Sequence, residues 1–223
     1  MTDVPAPDTL FSPLIEHAIE LSAQWHDGTY RKSVWRDPAF ERPEDDEIQT
    51  PVISHLAAVA SIVRRAGWDE PVVAAAYLHD AIEDRNKHGQ RLRRRQLRDA
   101  MGVEVTQLVA QVSEQKLDDE GEMRPWRERK EGYLDNIRTG SPEATAISLA
   151  DKIHNLWSIV QSLEADEDIF AVLSGDAEAQ HWFHRAVLEA SRVHDDPRLA
   201  PMRERLRQEI ERFRRVALPE ADG

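Results

Sequence analysis

The sequence contains no cysteine, which excludes disulfide bonds and thiolate metal ligands. It also has no apolar run that approaches the roughly 18–20 residues needed to cross a bilayer. The first residues, MTDVPAPDTL, place no basic segment ahead of an apolar one, so they lack the pattern of a secretory signal peptide. Together these absences predict a cytoplasmic protein that does not associate with a membrane.

Basic residues are too few to balance the acids. The 223 residues include 42 acids and 29 bases, which gives a net charge of −13. Binding of long nucleic acid depends on clusters of Lys and Arg that release counterions, so this excess of acid argues against it. Six arginines do fall within residues 85–98, and we interpret them as a solvated helix face. A small phosphorylated substrate remains compatible, because a metal and a few basic groups can reverse the potential inside one pocket.

Apolar residues recur at spacings of three and four along most of the chain, which predicts an all-α bundle without strands or internal repeats. The first helix covers Leu14 to Trp25 and ends near Gly28. The second occupies residues 52–66, with Thr50 as N-cap and Pro51 at the first helical position. Pro71 opens the third, and later helices are predicted over residues 92–101, 103–114, 126–138, 143–163, 178–193 and 199–216. Residues 33–49 hold six acids and two prolines with little periodicity, and are predicted to form a loop.

The third helix carries the most informative cluster of polar residues. Its first residues are apolar on every face, which predicts burial on all sides. His79, Asp80, Glu83 and Asp84 follow at once and are expected on the same helix, and such a cluster near a core normally binds something.

Two more candidate ligands interrupt apolar helical runs and are expected to face the interior, namely His55 and Asp151. Two imidazoles and two carboxylates suit Mn, Fe, Co or Ni, and are less diagnostic of Zn. The competing interpretation of a lone histidine is a hydrogen-bonded core residue. We apply it to the remaining seven, which are His17, His26, His88, His154, His181, His184 and His194.

Five segments carry a family resemblance. They are YRK at 30–32, TPVISHLAAVA at 50–60, AAAYLHDAIED at 74–84, MGVEVTQLVAQVSE at 101–114, and WRERKEGYLDNI followed by SLADKIHNL within 126–156. In this order they resemble the HD-domain phosphohydrolases, specifically the hydrolase domain of the RelA/SpoT type and the stand-alone small alarmone hydrolases. The resemblance covers about residues 14–163 and implies an all-α HD-domain bundle.

The resemblance also implies roles for individual residues. It implies that a metal, typically manganese, is bound by His55, His79, Asp80 and Asp151. It also implies that the acidic pair Glu83 and Asp84 acts on the attacking water. It places Arg31 and Lys32 in the substrate pocket, with Asn155 one turn beyond the last ligand. The implied reaction removes the 3′-pyrophosphate from guanosine tetra- or pentaphosphate. We therefore expect an HD phosphohydrolase domain at residues 1–165, and further helices at 166–223 that either close the bundle or form a homo-oligomer contact.

Two alternatives stay open. One is the same chemistry on another nucleotide, such as a nucleoside monophosphate or NADPH. The family usually has Pro-Tyr-Ile-x-His-Pro around the first ligand, whereas this chain has Val52 and Leu56 at the second and last positions, which puts the substrate in doubt. The other is a non-catalytic nucleotide-sensing HD module. Such modules usually lose ligands or the acidic pair, and this chain keeps both.

Overall fold

The structure is a computed structural model that describes residues 10–34, 49–118 and 120–218. These residues form eight α-helices, and the predicted all-α class is confirmed. The helices are α1 (Pro13–Trp25), α2 (Val52–Arg65), α3 (Glu70–Tyr77), α4 (Arg94–Val112), α5 (Trp126–Thr139), α6 (Pro142–Glu164), α7 (Ala177–Ala190) and α8 (Leu199–Ala217). Within the described ranges no helix is both long enough and apolar enough to cross a membrane.

Helix α6 forms the centre of the core. Every residue from Ala144 to Ile153 is buried, so neighbouring elements cover this helix on all faces. Helices α2, α4 and α8 pack against it. Helix α8 contributes Leu199, Leu206 and Phe213, each fully buried. The helix that carries Asp151 is therefore held from several sides, including by residues near the end of the chain.

Helices α1 and α6 each begin at a capping serine. Ser12 accepts a hydrogen bond from the N–H of Ile15, and Ser141 accepts one from the N–H of Ala144, each with proline at the next position. The predicted start at Ser141 is therefore confirmed. The predicted start at Thr50 is wrong by one residue, because Thr50 lies in a strand and Pro51 is the N-cap of α2.

Helix α4 is divided by a glycine. Gly102 has φ +83° and ψ 175°, a conformation that L-residues rarely adopt, and helical backbone continues on both sides of it. This break agrees with the two separate helices predicted over residues 92–101 and 103–114.

The structure contains a short strand pair that the sequence did not predict. Strand β1 (Tyr30–Val34) pairs antiparallel with β2 (Gln49–Pro51), with Tyr30 opposite Pro51. A pair this short and irregular leaves too few residues for an alternating pattern to be recognised. Most of the predicted loop at 33–49 lies outside the described residues, and its ends belong to this strand pair. Strand β1 contacts α6 and so brings Arg31 toward the middle of that helix.

The third helix ends earlier than predicted. Helix α3 stops at Tyr77, and residues 78–83 form successive turns, so His79, Asp80, Glu83 and Asp84 do not lie on that helix. The reason is visible at Ala76, whose carbonyl would accept from the N–H of Asp80 in a continued helix. Here it is 2.8 Å from Nδ1 of His79. The imidazole thus binds the helix end and fixes its own orientation.

Candidate active site

The four predicted metal ligands converge from three parts of the fold. His55 lies on α2, His79 and Asp80 on the turns after α3, and Asp151 on α6. Nε2 of His55 is 3.2 Å from Oδ1 of Asp151 and 4.0 Å from Oδ2 of Asp80. Nε2 of His79 is 3.4 Å from Oδ1 of Asp80 and 3.8 Å from Oδ1 of Asp151. Two ring nitrogens and two carboxylates thus face one common centre.

The donor set fits a divalent cation. His55, His79 and Asp80 each offer an atom, and these atoms lie within 4.8 Å of one another. Nε2 of His79 is buried and has no hydrogen-bond partner among the described residues. Because the carbonyl of Ala76 takes a hydrogen bond from Nδ1–H, Nε2 of the neutral imidazole carries a lone pair, as a metal ligand must. Imidazole and carboxylate ligands together suit divalent transition metals.

Asp151 is kept ionised by its neighbours. Burial acts to raise its pKa, but the ammonium of Lys152, followed by the nearby imidazole of His55, outweighs it and holds the pKa well below its ordinary value. Nζ of Lys152 is 2.5 Å from Oδ2 of Asp151, and both side chains are buried. A carboxylate that stays anionic at neutral pH is available to a cation.

His154 is a residue that the sequence analysis placed wrongly among the histidines without a role at the site. Its Nδ1 is 2.8 Å from Nδ1 of His55, and its ring is tilted against the His55 ring at 4.8 Å. Burial, followed by the charge of Arg31, lowers the pKa of His154 to about 4, so the ring is neutral. A neutral His154 can accept a hydrogen bond from Nδ1–H of His55, which leaves a lone pair on Nε2 of His55 that faces the centre. The spacing was a usable signal, since His154 lies three residues beyond Asp151 on α6.

The predicted substrate-binding residues are connected to the same centre. Asn155 donates from Nδ2 to Oδ1 of Asp151 at 2.5 Å, and its Oδ1 accepts from Nη2 of Arg31 at 3.1 Å. Arg31, Lys32 and Asn155 all line one cavity of about 310 Å³ that the four predicted metal ligands also line. The structure therefore brings all three predicted residues together.

The acidic pair is held by a lysine that sequence reasoning missed. Nζ of Lys116 is 3.2 Å from Oε2 of Glu83 and 3.1 Å from Oδ1 of Asp84. Oε1 of Glu83 accepts from the N–H of Glu114 at 2.7 Å. Burial, with the nearby charge of Asp80, raises the pKa of Glu83 to about 7. Of the two acids, Glu83 lines the cavity, whereas Asp84 is not among its lining residues.

The remaining cavity wall is basic and aromatic. Glu114 pairs with Nη1 of Arg129 at 2.6 Å and with Nζ of Lys130 at 2.5 Å. The other residues of this wall that the sequence analysis did not single out include Lys116, Trp126, Tyr133, Lys152, Phe183 and His184. Several residues of this wall belong to the segment WRERKEGY, which is part of the family resemblance. The cavity can therefore hold an anionic group beside a cation centre.

Comparison with known proteins gives a family match and several relatives. A family model described as HD domain matches residues 35–175, more than half of the chain. Guanosine-3′,5′-bis(diphosphate) 3′-pyrophosphohydrolase of Haemophilus influenzae is 36% identical over 115 residues, which are 49% of this chain and 15% of that protein. The protein of Homo sapiens named guanosine-3′,5′-bis(diphosphate) 3′-pyrophosphohydrolase MESH1 is 36% identical over 118 residues, or 52% of this chain and 59% of that protein. The chain thus spans less than two thirds of either relative.

Two solved structures resemble this one. A crystal structure of a Listeria monocytogenes protein aligns with a TM-score of 0.60 and 27% identity, over 78% of this chain and 99% of that one. A metazoan ortholog of SpoT, described as hydrolysing ppGpp, aligns with a TM-score of 0.59 and 23% identity, over 95% of this chain and 97% of that one. At 23% identity, the similarity to the metazoan structure supports the fold alone.

Proposed function

The chain belongs to the HD-domain family, and we propose that it is a metal-dependent phosphohydrolase that removes the 3′-pyrophosphate of guanosine tetra- or pentaphosphate. The observation that carries this proposal is the convergence of His55, His79, Asp80 and Asp151 beside a cavity that Glu83 also lines. The names of the partly covered relatives support the choice of substrate.

We assign the metal to His55, His79, Asp80 and Asp151, with Mn2+ as the expected ion and other divalent transition metals as alternatives. When bound, such a cation lowers the pKa of a coordinated water and polarises a phosphoryl oxygen. His154 fixes the tautomer of His55, and the carbonyl of Ala76 fixes that of His79, so both lone pairs face the centre before the ion arrives.

Glu83 is the better placed of the two acids to take the proton of the attacking water. It lines the cavity, and its pKa of about 7 suits a group that must accept and release a proton near neutral pH. The ammonium of Lys116 forms ion pairs with both Glu83 and Asp84 and so keeps the two carboxylates in fixed positions. As the water oxygen bonds to phosphorus, the bond from that phosphorus to the ribose 3′ oxygen breaks and the 3′ oxygen takes up a proton. The products are pyrophosphate and the nucleoside 5′-di- or triphosphate.

Arg31 and Lys32 supply positive charge for the substrate phosphates. Arg31 is fixed by its hydrogen bond to Asn155, so it presents its guanidinium without a large loss of side-chain entropy on binding. Lys32 is exposed and lines the same cavity. These groups offset the repulsion that a protein of net charge −13 exerts on a polyphosphate.

The test is a product assay with Mn-loaded protein and guanosine tetraphosphate, analysed by anion-exchange chromatography. We expect GDP and pyrophosphate. Glu83→Gln and Asp84→Asn should each keep the metal and lose most turnover, while His79→Ala should lose both. Glu131→Gln, an exposed acid on α5, is the matched control and should behave as wild type.

Three results would contradict parts of the proposal. Full metal occupancy in His79→Ala would remove that residue from the ligand set. Unchanged turnover in both metal-loaded acid variants would remove the acidic pair from the mechanism. No turnover of guanosine tetraphosphate by the metal-loaded wild type would reject this substrate, and a screen of nucleoside monophosphates and NADPH would follow.

A further inference from the structure

The cavity contains one aromatic ring that is not fully part of the core. Trp126, the first residue of α5, lines the cavity together with Tyr133 and Phe183. Tyr133 and Phe183 are only 5% and 3% exposed, as expected of core residues. Trp126 is half-buried, so part of its indole remains accessible from the cavity.

The indole of Trp126 is held in place from several directions. Trp182 and Phe183 contact it in edge-to-face geometry, with centroid distances of 6.0 and 6.2 Å. The backbone at Gly175 also lies close, since a Cβ built there would be 3.3 Å from Cζ2 of Trp126. A ring that is already fixed loses little conformational entropy when a flat ligand stacks on it.

A polar atom of the same cavity suits a heterocycle better than a purely apolar ligand. Nδ1 of His184 is 2.8 Å from the carbonyl of Gln180, so Nδ1 carries the proton and Nε2 is an acceptor. That Nε2 is buried without a partner among the described residues, and His184 lines the same cavity. Leaving a buried acceptor unpaired is unfavourable, and an N–H donor from a bound base would offset that cost.

A purely structural role would explain the presence of Tyr133 and Phe183 beside Trp126, because both are buried. It does not account for the accessible part of Trp126 or for the unpaired nitrogen of His184. Both features fit a ligand with a flat face and N–H groups, which is the chemistry of a nucleobase.

We propose that Trp126 is the stacking platform for the nucleobase of the substrate, and that it selects nucleotides over phosphate compounds that lack a base. This inference rests on the proposed phosphohydrolase function. The metal-ligand residues and the acids act on the phosphate, whereas Trp126 contacts the base.

The test compares Trp126→Ala and Trp126→Phe with wild type in steady-state hydrolysis of guanosine tetraphosphate. Stacking of one base contributes about 1–3 kcal/mol, so Trp126→Ala should raise KM by roughly 5- to 150-fold. We expect kcat to change little and Trp126→Phe to keep most of the affinity. The inhibition constant of inorganic pyrophosphate, a product without a base, should not move in either variant.

Trp182→Ala is the matched control. Trp182 packs on Trp126 and is stacked by Arg127 at 3.3 Å, but it is not among the residues that line the cavity. This variant should lower thermal stability as Trp126→Ala does, with a much smaller effect on KM. Equal effects of Trp126→Ala and Trp182→Ala on KM would contradict the stacking role of Trp126. So would a parallel shift in the inhibition constant of pyrophosphate.

Direct binding separates this inference from the proposed function. The dissociation constant of GDP is measured by calorimetry for wild type and Trp126→Ala, without any turnover. If no nucleotide is hydrolysed but Trp126→Ala still weakens GDP binding, the platform stands and the hydrolase proposal falls. If guanosine tetraphosphate is hydrolysed with an unchanged KM in Trp126→Ala, or if GDP does not bind wild type, the platform is wrong.

Discussion

Replacing Lys152 with methionine should destabilise the metal-free protein strongly and make its stability depend on metal. Lys152 and Asp151 form an ion pair on α6 in which each side chain is about nine-tenths buried. Methionine keeps most of the apolar stem of Lys152 and removes only the charge. Asp151 is then left as a buried carboxylate without its nearest cation.

The size of the effect follows from this burial. Removing one partner of a buried ion pair costs about 3–5 kcal/mol, because the remaining charge is uncompensated. In a domain of this size 1 kcal/mol changes Tm by about 2–4 °C, so Tm should fall by about 6–20 °C. Because the folded pKa of Asp151 is held below its unfolded value, the Lys152–Asp151 pair contributes to the free energy of unfolding near neutral pH. It is lost as the pH falls through the folded pKa.

The assay is thermal unfolding at neutral pH, first in a chelator and then with increasing Mn2+. A divalent cation replaces the missing positive charge beside Asp151, so Lys152→Met should gain more from metal than wild type does. The double variant with Asp151→Asn should be more stable in chelator than Lys152→Met alone. Lys87→Met, which breaks an exposed pair with Asp27, is the control and should leave Tm nearly unchanged. An unchanged Tm in metal-free Lys152→Met would refute the reasoning.

Lys116→Met should move the acidic limb of the pH profile of kcat/KM to higher pH. The charge of Lys116 lowers the pKa of Glu83, and only ionised Glu83 accepts a proton. An acidic limb that does not move would exclude Glu83 as the titrating base. His154→Phe should weaken metal binding by about 10- to 100-fold in equilibrium dialysis, the usual effect of losing a partner of a ligating histidine, and equal affinity would contradict its role. Gly102→Ala should lower the free energy of unfolding in urea by about 1–3 kcal/mol, because alanine rarely adopts φ +83° with ψ 175°. A Cβ at this position would meet no atom within 4 Å, so the cost is conformational and not steric. Gly132→Ala, in helical backbone and equally free of neighbours, should stabilise instead, and the same sign at both glycines would contradict the conformational argument.

The helices were predictable because their signals are local. The Ser141-Pro142 start, the glycine at 102 and the spacing of apolar residues all act within a few positions of the chain. The strand pair at β1 and β2 was not predictable in the same way. Its partners are separated by residues 35–48, and each strand is too short to show an alternating pattern.

For the candidate site, the sequence predicted which residues lie together better than it predicted their geometry. The motif identified His79 and Asp80, but the periodicity extended α3 through them. The helix ends where the imidazole of His79 donates a hydrogen bond to the carbonyl of Ala76, three residues earlier. The pattern of apolar residues gives no sign of this bond. Lys116 was missed for another reason, since its contacts with Glu83 and Asp84 join residues more than thirty positions apart. His154 was missed although its spacing from Asp151 was visible, because a histidine in an apolar helix is most often structural.

The packing of α8 on α6 has a consequence for how the protein matures on the ribosome. Helix α6 carries Asp151, and part of its covering surface comes from Leu199, Leu206 and Phe213. Synthesis proceeds at about 5–20 residues per second, so α6 waits several seconds for this surface to be made. During that interval the part of α6 that α8 covers is exposed. The helix that carries Asp151 therefore becomes fully covered only after α8 has been synthesised.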